Sequence, residues 1–260
     1  MADSTKKPNF LNPALIGVVV WAAVLIAVFV SFRGSDLGRL PSLIGNLGGG
    51  PLGGSGVGDS IVGAVIALLI GISWFGVGNF AFSFVKTSRG ENHSHVLELA
   101  MKTAVGAAAW SLIWFFLGIA NAYSKPVAAV VTVIGLILAA LGIRRLKDAK
   151  AESRVPERAV VFDKIVLALI AIPVFLAFIA ALAPPTAKDT LLYHFAVPKA
   201  FVAQGSNAFV EGNIASYLAL GNEMHVGWAM LLGGFIGPRA GEAAAGATIW
   251  MFFPLLLAAI

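Results

Sequence analysis

The sequence predicts an all-α membrane protein, a polytopic bundle of about seven transmembrane helices that forms a single domain over residues 1–260. Hydrophobic residues make up 58% of the chain and charged residues only 12%, and the mean hydropathy is +0.88. Apolar runs recur along the chain, and about 20 helical residues suffice to cross a hydrocarbon core of roughly 30 Å. Composition and run length together indicate a multi-pass protein.

Seven apolar segments are the candidate spans. They cover residues 12–32, 60–85, 97–122, 126–143, 164–183, 222–236 and 240–260. The first follows Lys6 and Lys7 and lacks the small-residue pattern at which signal peptides are cleaved, so we expect an uncleaved anchor helix. Small residues at Gly71, Gly76 and Gly78, and over residues 105–109, predict that the second and third spans pack closely against neighbouring helices.

Basic residues orient this bundle, because the loops of the cytoplasmic side collect Lys and Arg close to the span ends. Lys and Arg cluster at residues 6–7, over residues 86–102, and in the loop 144–163, which alternation of the spans places on one side. We therefore predict a cytoplasmic N-terminus, a glycine-rich outer loop at residues 33–59 and a second outer loop at residues 184–221. The net charge of +5 is accounted for by this orientation, so no nucleic-acid partner is expected.

Composition also restricts the chemistry. The chain has no cysteine and only four histidines, which excludes a disulfide framework, a thiolate metal site and a cysteine nucleophile. His93 and His95 are two residues apart and do not share a helix face, so we predict no metal site there, although metal dependence stays open. Glu98 and Lys102 are four residues apart on a predicted helix and are expected to pair.

Side chains that can carry chemistry concentrate in the outer loop 184–221 and at the start of the next span. Lys188 and Asp189 come shortly after a pair of prolines, and aromatic, imidazole and amino groups follow within a few residues. A carboxylate there could accept a proton from a hydroxyl group, and a nearby cation could stabilise a leaving phosphate. The remaining candidates for this site are Tyr193, His194, Lys199, Asn213 and Glu223.

The order of these residues carries a family resemblance. The motif reads Pro184-Pro185-Thr186, Asp189, Tyr193-His194 and Pro198-Lys199, followed by Asn213, Ser216 and Glu223-Met224. This pattern resembles the first large outer loop of bacterial GT-C-type membrane glycosyltransferases, over about 40 residues. The resemblance implies an enzyme of the bacterial inner membrane, embedded among membrane lipids, that takes a sugar from a polyprenyl-phosphate carrier at the outer face. It implies no organic cofactor.

The resemblance also suggests roles for individual residues. Asp189 matches the acidic residue that serves as base or positions the acceptor, and Lys188 or Lys199 would stabilise the leaving phosphate. His194 lies five residues after Asp189, a spacing that separates the two on an α-helix, so we expect it to shape the site rather than pair with Asp189. Tyr193, Asn213 and Glu223 are expected to contribute to substrate binding.

Other interpretations of the same residues remain open. Asp189 could cap a helix, the two lysines could anchor the chain at the interface, and Tyr193 could belong to an aromatic belt. GT-C transferases usually have more than seven spans and a soluble outer domain. The chain is therefore either the N-terminal portion of such an enzyme or a non-catalytic subunit that associates with other membrane subunits. A transporter is not favoured, because we find no internal repeat.

Overall fold

A computed structural model describes residues 13–39, 41–42, 54–85, 95–148, 161–218 and 220–259. Lys6, Lys7 and His93 lie outside the described residues, as do most of the glycine-rich loop and loop residues 149–160. The chain forms two compact units, residues 1–45 and residues 46–260, and each is treated separately below.

Within the described residues every regular element is helical, as the sequence predicts. Five helical segments are long and apolar enough to cross a membrane, which fits a multi-pass membrane protein. The α-helices are α1 (Pro13–Leu37), α2 (Gly54–Phe82), α3 (His95–Ile119), α4 (Lys125–Asp148), α5 (Val161–Leu182), α6 (Ala196–Gln204), α7 (Gly221–Gly233), α8 (Pro238–Trp250) and α9 (Phe252–Ala259).

The described part of the first unit consists mainly of one long helix, α1, of 25 residues. Its apolar segment Val19–Leu37 is long enough to span a membrane, and none of that segment is buried. A helix that is apolar on all sides and exposed along its length is suited to contact with lipid.

In the second unit, α2 packs closely against α3 and α4, because glycine replaces larger side chains at the contacts. A methyl group added at Gly78 would overlap the backbone carbonyl of Lys102, and one added at Gly106 would overlap that of Trp74. The same holds for Gly76 against the backbone of Gly135. The predicted close packing at Gly76, Gly78 and residues 105–109 is therefore confirmed, and it brings the three backbones together.

The helix α7 differs from the predicted sixth span at residues 222–236. It has only 13 residues, a length of about 20 Å, which is shorter than the roughly 30 Å of a hydrocarbon core. Ten of these residues are buried inside the bundle. After α7 the chain turns at residues 234–237, where Lys125 at the start of α4 donates a hydrogen bond to the Gly234 carbonyl and its ammonium group lies 5.8 Å from the Phe235 ring.

The α7–α8 turn therefore lies at the same end of the bundle as the turn between α3 and α4. From there α8 runs beside α5, and the Trp250 indole donates to the Val174 carbonyl at 3.0 Å. The two helices α8 and α9 together form one apolar segment, Pro238–Ala259, that is long enough to cross a membrane. Hydropathy alone presents α7 as a further crossing, whereas its contacts make it an interior helix.

Four tryptophan side chains form the centre of the core, one on α7 and three on the neighbouring helices α2 and α3. Trp74, Trp114 and Trp228 are fully buried, and Trp110 packs at 5.1 Å from Trp228 between ring centroids. The Trp228 indole donates a hydrogen bond to the Thr132 hydroxyl at 3.0 Å, so its polar group is satisfied inside the bundle. This contact fixes α7 against α4.

The glycine contacts of α2 predict a selective loss of stability. Gly78→Ala forces a methyl group onto the Lys102 backbone, and we expect a loss of about 1 to 3 kcal/mol, typical of overpacking. Thermal unfolding in detergent measures the effect. Gly58→Ala in the same helix is the matched control, since nothing lies within 4 Å of its added methyl group. Equal melting temperatures for the two variants would contradict the close approach.

The position of the α7–α8 turn predicts a labelling pattern that simple alternation of seven spans does not. Cysteines introduced singly at Ile214 and Phe235, both exposed, should react with a membrane-impermeant reagent from the same side of sealed cells. A cysteine at Ala151 should be protected from that reagent until the membrane is opened. If Phe235→Cys, like Ala151→Cys, reacts only after the membrane is opened, α7 crosses the membrane and its interior position is wrong.

Candidate functional site

The connecting segment, residues 183–220 between α5 and α7, carries most of the predicted site. It folds against the turn between α3 and α4, where the Tyr123 amide donates to the Gly205 carbonyl at 3.0 Å and the Asn207 side chain donates to the Phe115 carbonyl at 2.9 Å. Gly205 has a positive φ of 75°, which suits glycine and ends α6 there. The connecting segment is thus held to the bundle by its own hydrogen bonds.

A π-helical turn at Thr190–His194 directly follows Asp189 and ends at His194. The Phe195 amide donates to the Thr190 carbonyl at 2.9 Å, a bond that spans five residues instead of four. On an α-helix, residues five apart differ by about 140° around the axis. With hydrogen bonds of the i to i+5 type, a residue five positions on returns close to the same face. The expected separation of Asp189 and His194 is therefore much reduced.

The imidazole of His194 is held by a buried carboxylate. Its Nδ1 atom lies 2.5 Å from the Glu223 Oε1 atom in the first turn of α7. The Glu223 side chain is 6% exposed, whereas that of His194 is 42% exposed. The Tyr193 ring packs beside the imidazole, with 4.0 Å between ring centroids. One ring nitrogen is thus committed to Glu223 while part of the ring stays accessible.

Lys188 and Asp189 lie at the protein surface, directly before the π-helical turn that contains His194. Both are exposed, and Asp189 makes no capping hydrogen bond although it directly precedes the π-helical turn. Neither side chain has a hydrogen bond or ion pair with any residue that the structure describes. The cap interpretation of Asp189 thus finds no hydrogen bond, and its carboxylate is available to a ligand.

Lys199 has a different environment from the one predicted. Its ammonium group contacts the Glu242 carboxylate of α8 at 2.5 Å, and the lysine side chain is 49% exposed. Nearby, Arg239 donates a hydrogen bond to the Leu182 carbonyl at the end of α5. Two further nitrogens of that guanidinium group are buried without a partner among the described residues. Lys199 is therefore already neutralised by a carboxylate.

The structure places Tyr193 and Asn213 in supporting positions. Tyr193 packs against the hydrophobic core beneath His194. The Asn213 side chain donates to the Leu192 carbonyl at 2.9 Å and accepts from the Ala215 amide at 3.1 Å. Both amide atoms thus join the π-helical turn to the short 3₁₀ turn Ile214–Tyr217. Asn213 shapes the connecting segment, and one N–H and one lone pair of its side-chain amide are used by the protein.

An apolar cavity of about 290 Å³ opens between α3, the connecting segment and the start of α7. Its lining includes Leu112, Phe115, Leu218 and Met224. The polar side chains in its wall are used by the protein, since Ser111 donates to the Gly221 carbonyl at 2.6 Å. Met224 directly follows Glu223, so the cavity reaches the first turn of α7, which also carries this carboxylate.

The phenol of Tyr123 supports α7 from the side of the cavity. Burial raises the pKa of Tyr123, so its hydroxyl group keeps its proton near neutral pH. That hydroxyl donates to the Met224 sulfur at 2.9 Å. The contact links the α3–α4 turn to the first turn of α7.

Arg239 and Glu242, which contact Leu182 and Lys199, were not identified from the sequence. Each is charged and lies within the alanine-rich helix α8. A charged residue in an apolar span is costly unless it is paired or faces a cavity, and that cost is a signal that could have identified both. The sequence could not have identified Lys199 as the partner of Glu242, because 43 residues separate them.

Other predicted polar features resolve as structural contacts. Glu98 and Lys102 pair at 2.7 Å, which confirms the predicted interaction within α3. Across the described ranges, no three His, Asp or Glu side chains converge in a way that could hold a metal ion. No protein family, curated protein or solved structure matches this chain.

The Lys199–Glu242 pair predicts a small coupling energy. Because the lysine is half-exposed, solvent screens the attraction, and we expect Lys199→Gln and Glu242→Gln to interact by less than about 1 kcal/mol. A double-mutant cycle on denaturant unfolding in detergent measures the coupling. A coupling well above 2 kcal/mol would mean that the pair is a principal attachment of the connecting segment.

Proposed function

We propose that this protein is a membrane glycosyltransferase of the GT-C type that uses a polyprenyl-phosphate-linked sugar. It acts at the outer face of the bacterial inner membrane, with its N-terminus in the cytoplasm and the connecting segment outside. The observation that carries the proposal is an exposed carboxylate, Asp189, with no partner among the described residues, one π-helical turn before an imidazole, His194, that is anchored by a buried acid. The motif resemblance of residues 184–224 supports the same assignment.

The chemistry of transfer assigns a role to Asp189. Its carboxylate accepts the proton of an acceptor hydroxyl group, and the acceptor oxygen then bonds to the anomeric carbon of the sugar. The bond between that carbon and the phosphate oxygen breaks, and its electron pair leaves with the lipid phosphate. A base for this step must be accessible and uncommitted, and Asp189 meets both requirements.

The apolar cavity supports a lipid-linked donor. Its wall is formed mainly by hydrocarbon, and its polar groups already bond to the protein, so it suits an isoprenoid chain better than a sugar. Leu112, Phe115 and Leu218 are also exposed, so the cavity borders an apolar outer surface. A carrier whose chain occupies the cavity would have its head group near His194 and Asp189.

A second candidate function is that of a non-catalytic subunit in a larger membrane complex. It is favoured by the apolar side chains that the connecting segment exposes, including Ile214 at 84% and Tyr217 at 70%. Exposed apolar patches of this kind mark contacts with other proteins or with lipid. In this case Asp189 would have no role in transfer, and the exposed surface would be the functional one.

The transferase proposal predicts a large and specific effect at Asp189. Asp189→Asn keeps the size of the side chain but removes the basic carboxylate, so turnover should fall by about 10² to 10⁴. The melting temperature should stay unchanged, because the carboxylate makes no contact with the described protein. Transfer of radiolabelled sugar from a polyprenyl-phosphate donor in membranes measures the rate.

Glu211→Gln is the matched control, because it neutralises another exposed carboxylate of the same connecting segment away from the π-helical turn. The control should transfer at the rate of the unaltered protein. Near-normal transfer by Asp189→Asn would exclude the role as base. If neither form transfers sugar but the purified protein retains partner subunits, the second candidate function is supported instead.

A further inference from the structure

The contact between His194 and Glu223 fixes an exposed imidazole that has no role in the transfer of a proton to Asp189. Glu223 is buried in the first turn of α7, where the helix dipole favours a negative charge. An ionised carboxylate only accepts hydrogen bonds, so in that form of Glu223 the donor across the 2.5 Å contact is the His194 Nδ1–H group. The second ring nitrogen, Nε2, has no hydrogen-bond partner among the described residues, and the ring is 42% exposed.

Transfer from a lipid phosphate requires a group that receives the negative charge of the leaving phosphate. The cations of the neighbourhood are poorly placed for this task. Lys199 is neutralised by Glu242, and Arg239 is fixed to the Leu182 carbonyl with its other nitrogens buried. Lys188 is exposed and makes no contact that would hold it in one position. The imidazole of His194 is both accessible and fixed.

We propose that His194 binds the phosphate group of the lipid donor through Nε2–H while Glu223 holds the ring in place, an assignment that rests on the proposed function. With both nitrogens protonated, Nδ1–H donates to Glu223 and Nε2–H donates to a phosphate oxygen. In this arrangement the proton acceptor and the phosphate-binding group are the residues just before and at the end of one π-helical turn. Asp189 contacts the acceptor, and His194 contacts the phosphate that leaves.

The cavity beside Glu223 makes the phosphate of a lipid the natural ligand. Met224 lines the cavity and directly follows the carboxylate that holds the imidazole. A lipid chain in the cavity would place its head group near the first turn of α7, which carries the carboxylate that holds His194. The phosphate of an isoprenoid carrier and that of a phospholipid share this chemistry, so the experiment must separate them.

The test measures binding to the full chain in a phosphate-free maltoside detergent. Farnesyl phosphate is the probe, and farnesol, which lacks the phosphate, is the matched ligand. His194→Gln and Glu223→Gln should each weaken the Kd for farnesyl phosphate by about tenfold to a hundredfold, as expected for a lost charge-assisted contact. The Kd for farnesol should not change. Arg33→Gln, which removes an exposed cation on α1, is the charge control and should bind both ligands normally.

A spectroscopic measurement separates this role from a merely structural one. In protein with ¹⁵N-labelled histidine, the His194 ring signals are those that His194→Gln removes. Farnesyl phosphate should shift the Nε2 signal and leave Nδ1 nearly unchanged, and Glu223→Gln, whose amide oxygen is a weaker acceptor, should shift the Nδ1 signal. If His194→Gln is poorly folded, His194→Asn supplies the assignment of these signals instead.

Three results would overturn the inference. The first is a Kd of His194→Gln for farnesyl phosphate within about twofold of that of the unaltered protein, and the second is an Nε2 signal that does not respond to farnesyl phosphate. The third is equal competition by phosphatidylglycerol, which would mean that the site binds lipid head groups in general. Phosphate binding that depends on His194 in a protein without transfer activity would reject the proposed function and keep this inference. Transfer activity, together with farnesyl phosphate binding that His194→Gln does not change, would keep the proposed function and reject this inference.

Discussion

The burial of α7 is the constraint on which the rest of the second unit depends. Ten of its 13 residues are buried, so its polar groups depend on partners inside the protein, although the buried His225 Nδ1 atom has none among the described residues. Glu223 meets His194, Trp228 meets Thr132, the Gly221 carbonyl meets Ser111 and the Gly234 carbonyl meets Lys125. These partners lie on α3, α4 and the connecting segment. Satisfying one short helix thereby fixes the relative positions of three other parts of the chain.

The same constraint explains why the candidate site has its geometry. A buried carboxylate without a partner costs several kcal/mol, so Glu223 requires a donor at this place. The connecting segment supplies one through a π-helical turn, whose wider hydrogen bond brings the imidazole to Glu223 and Asp189 towards the same face. Single π-helical turns are uncommon and frequently occur at functional sites. The π-helical turn therefore both supplies the buried Glu223 with a partner and sets the positions of Asp189 and His194 at the surface.

Sequence reasoning predicted the elements that depend on local properties. Long apolar runs identified α1 to α5, glycines identified the close contacts of α2, and a spacing of four identified the Glu98–Lys102 pair. It did not predict α7 as an interior helix, because hydropathy does not distinguish burial in protein from burial in lipid. It also treated the segment around Asp189 as an ordinary helix, and the spacing to His194 changes when the turn is π-helical. Lys199 and Glu242 meet only through the tertiary fold.

The connecting segment is attached to the bundle at several points. Hydrogen bonds join it to the turn between α3 and α4, and the His194–Glu223 contact joins it to α7. The Lys199–Glu242 contact adds a solvent-screened attachment to α8, which approaches α7 so closely that a methyl group at Gly233 would overlap the backbone of Gly241. Such support suits the proposed transfer, since small displacements of reacting groups slow a reaction strongly. The same support would also present the exposed side chains of Ile214 and Tyr217 to a partner subunit, so this attachment is common to both candidate functions.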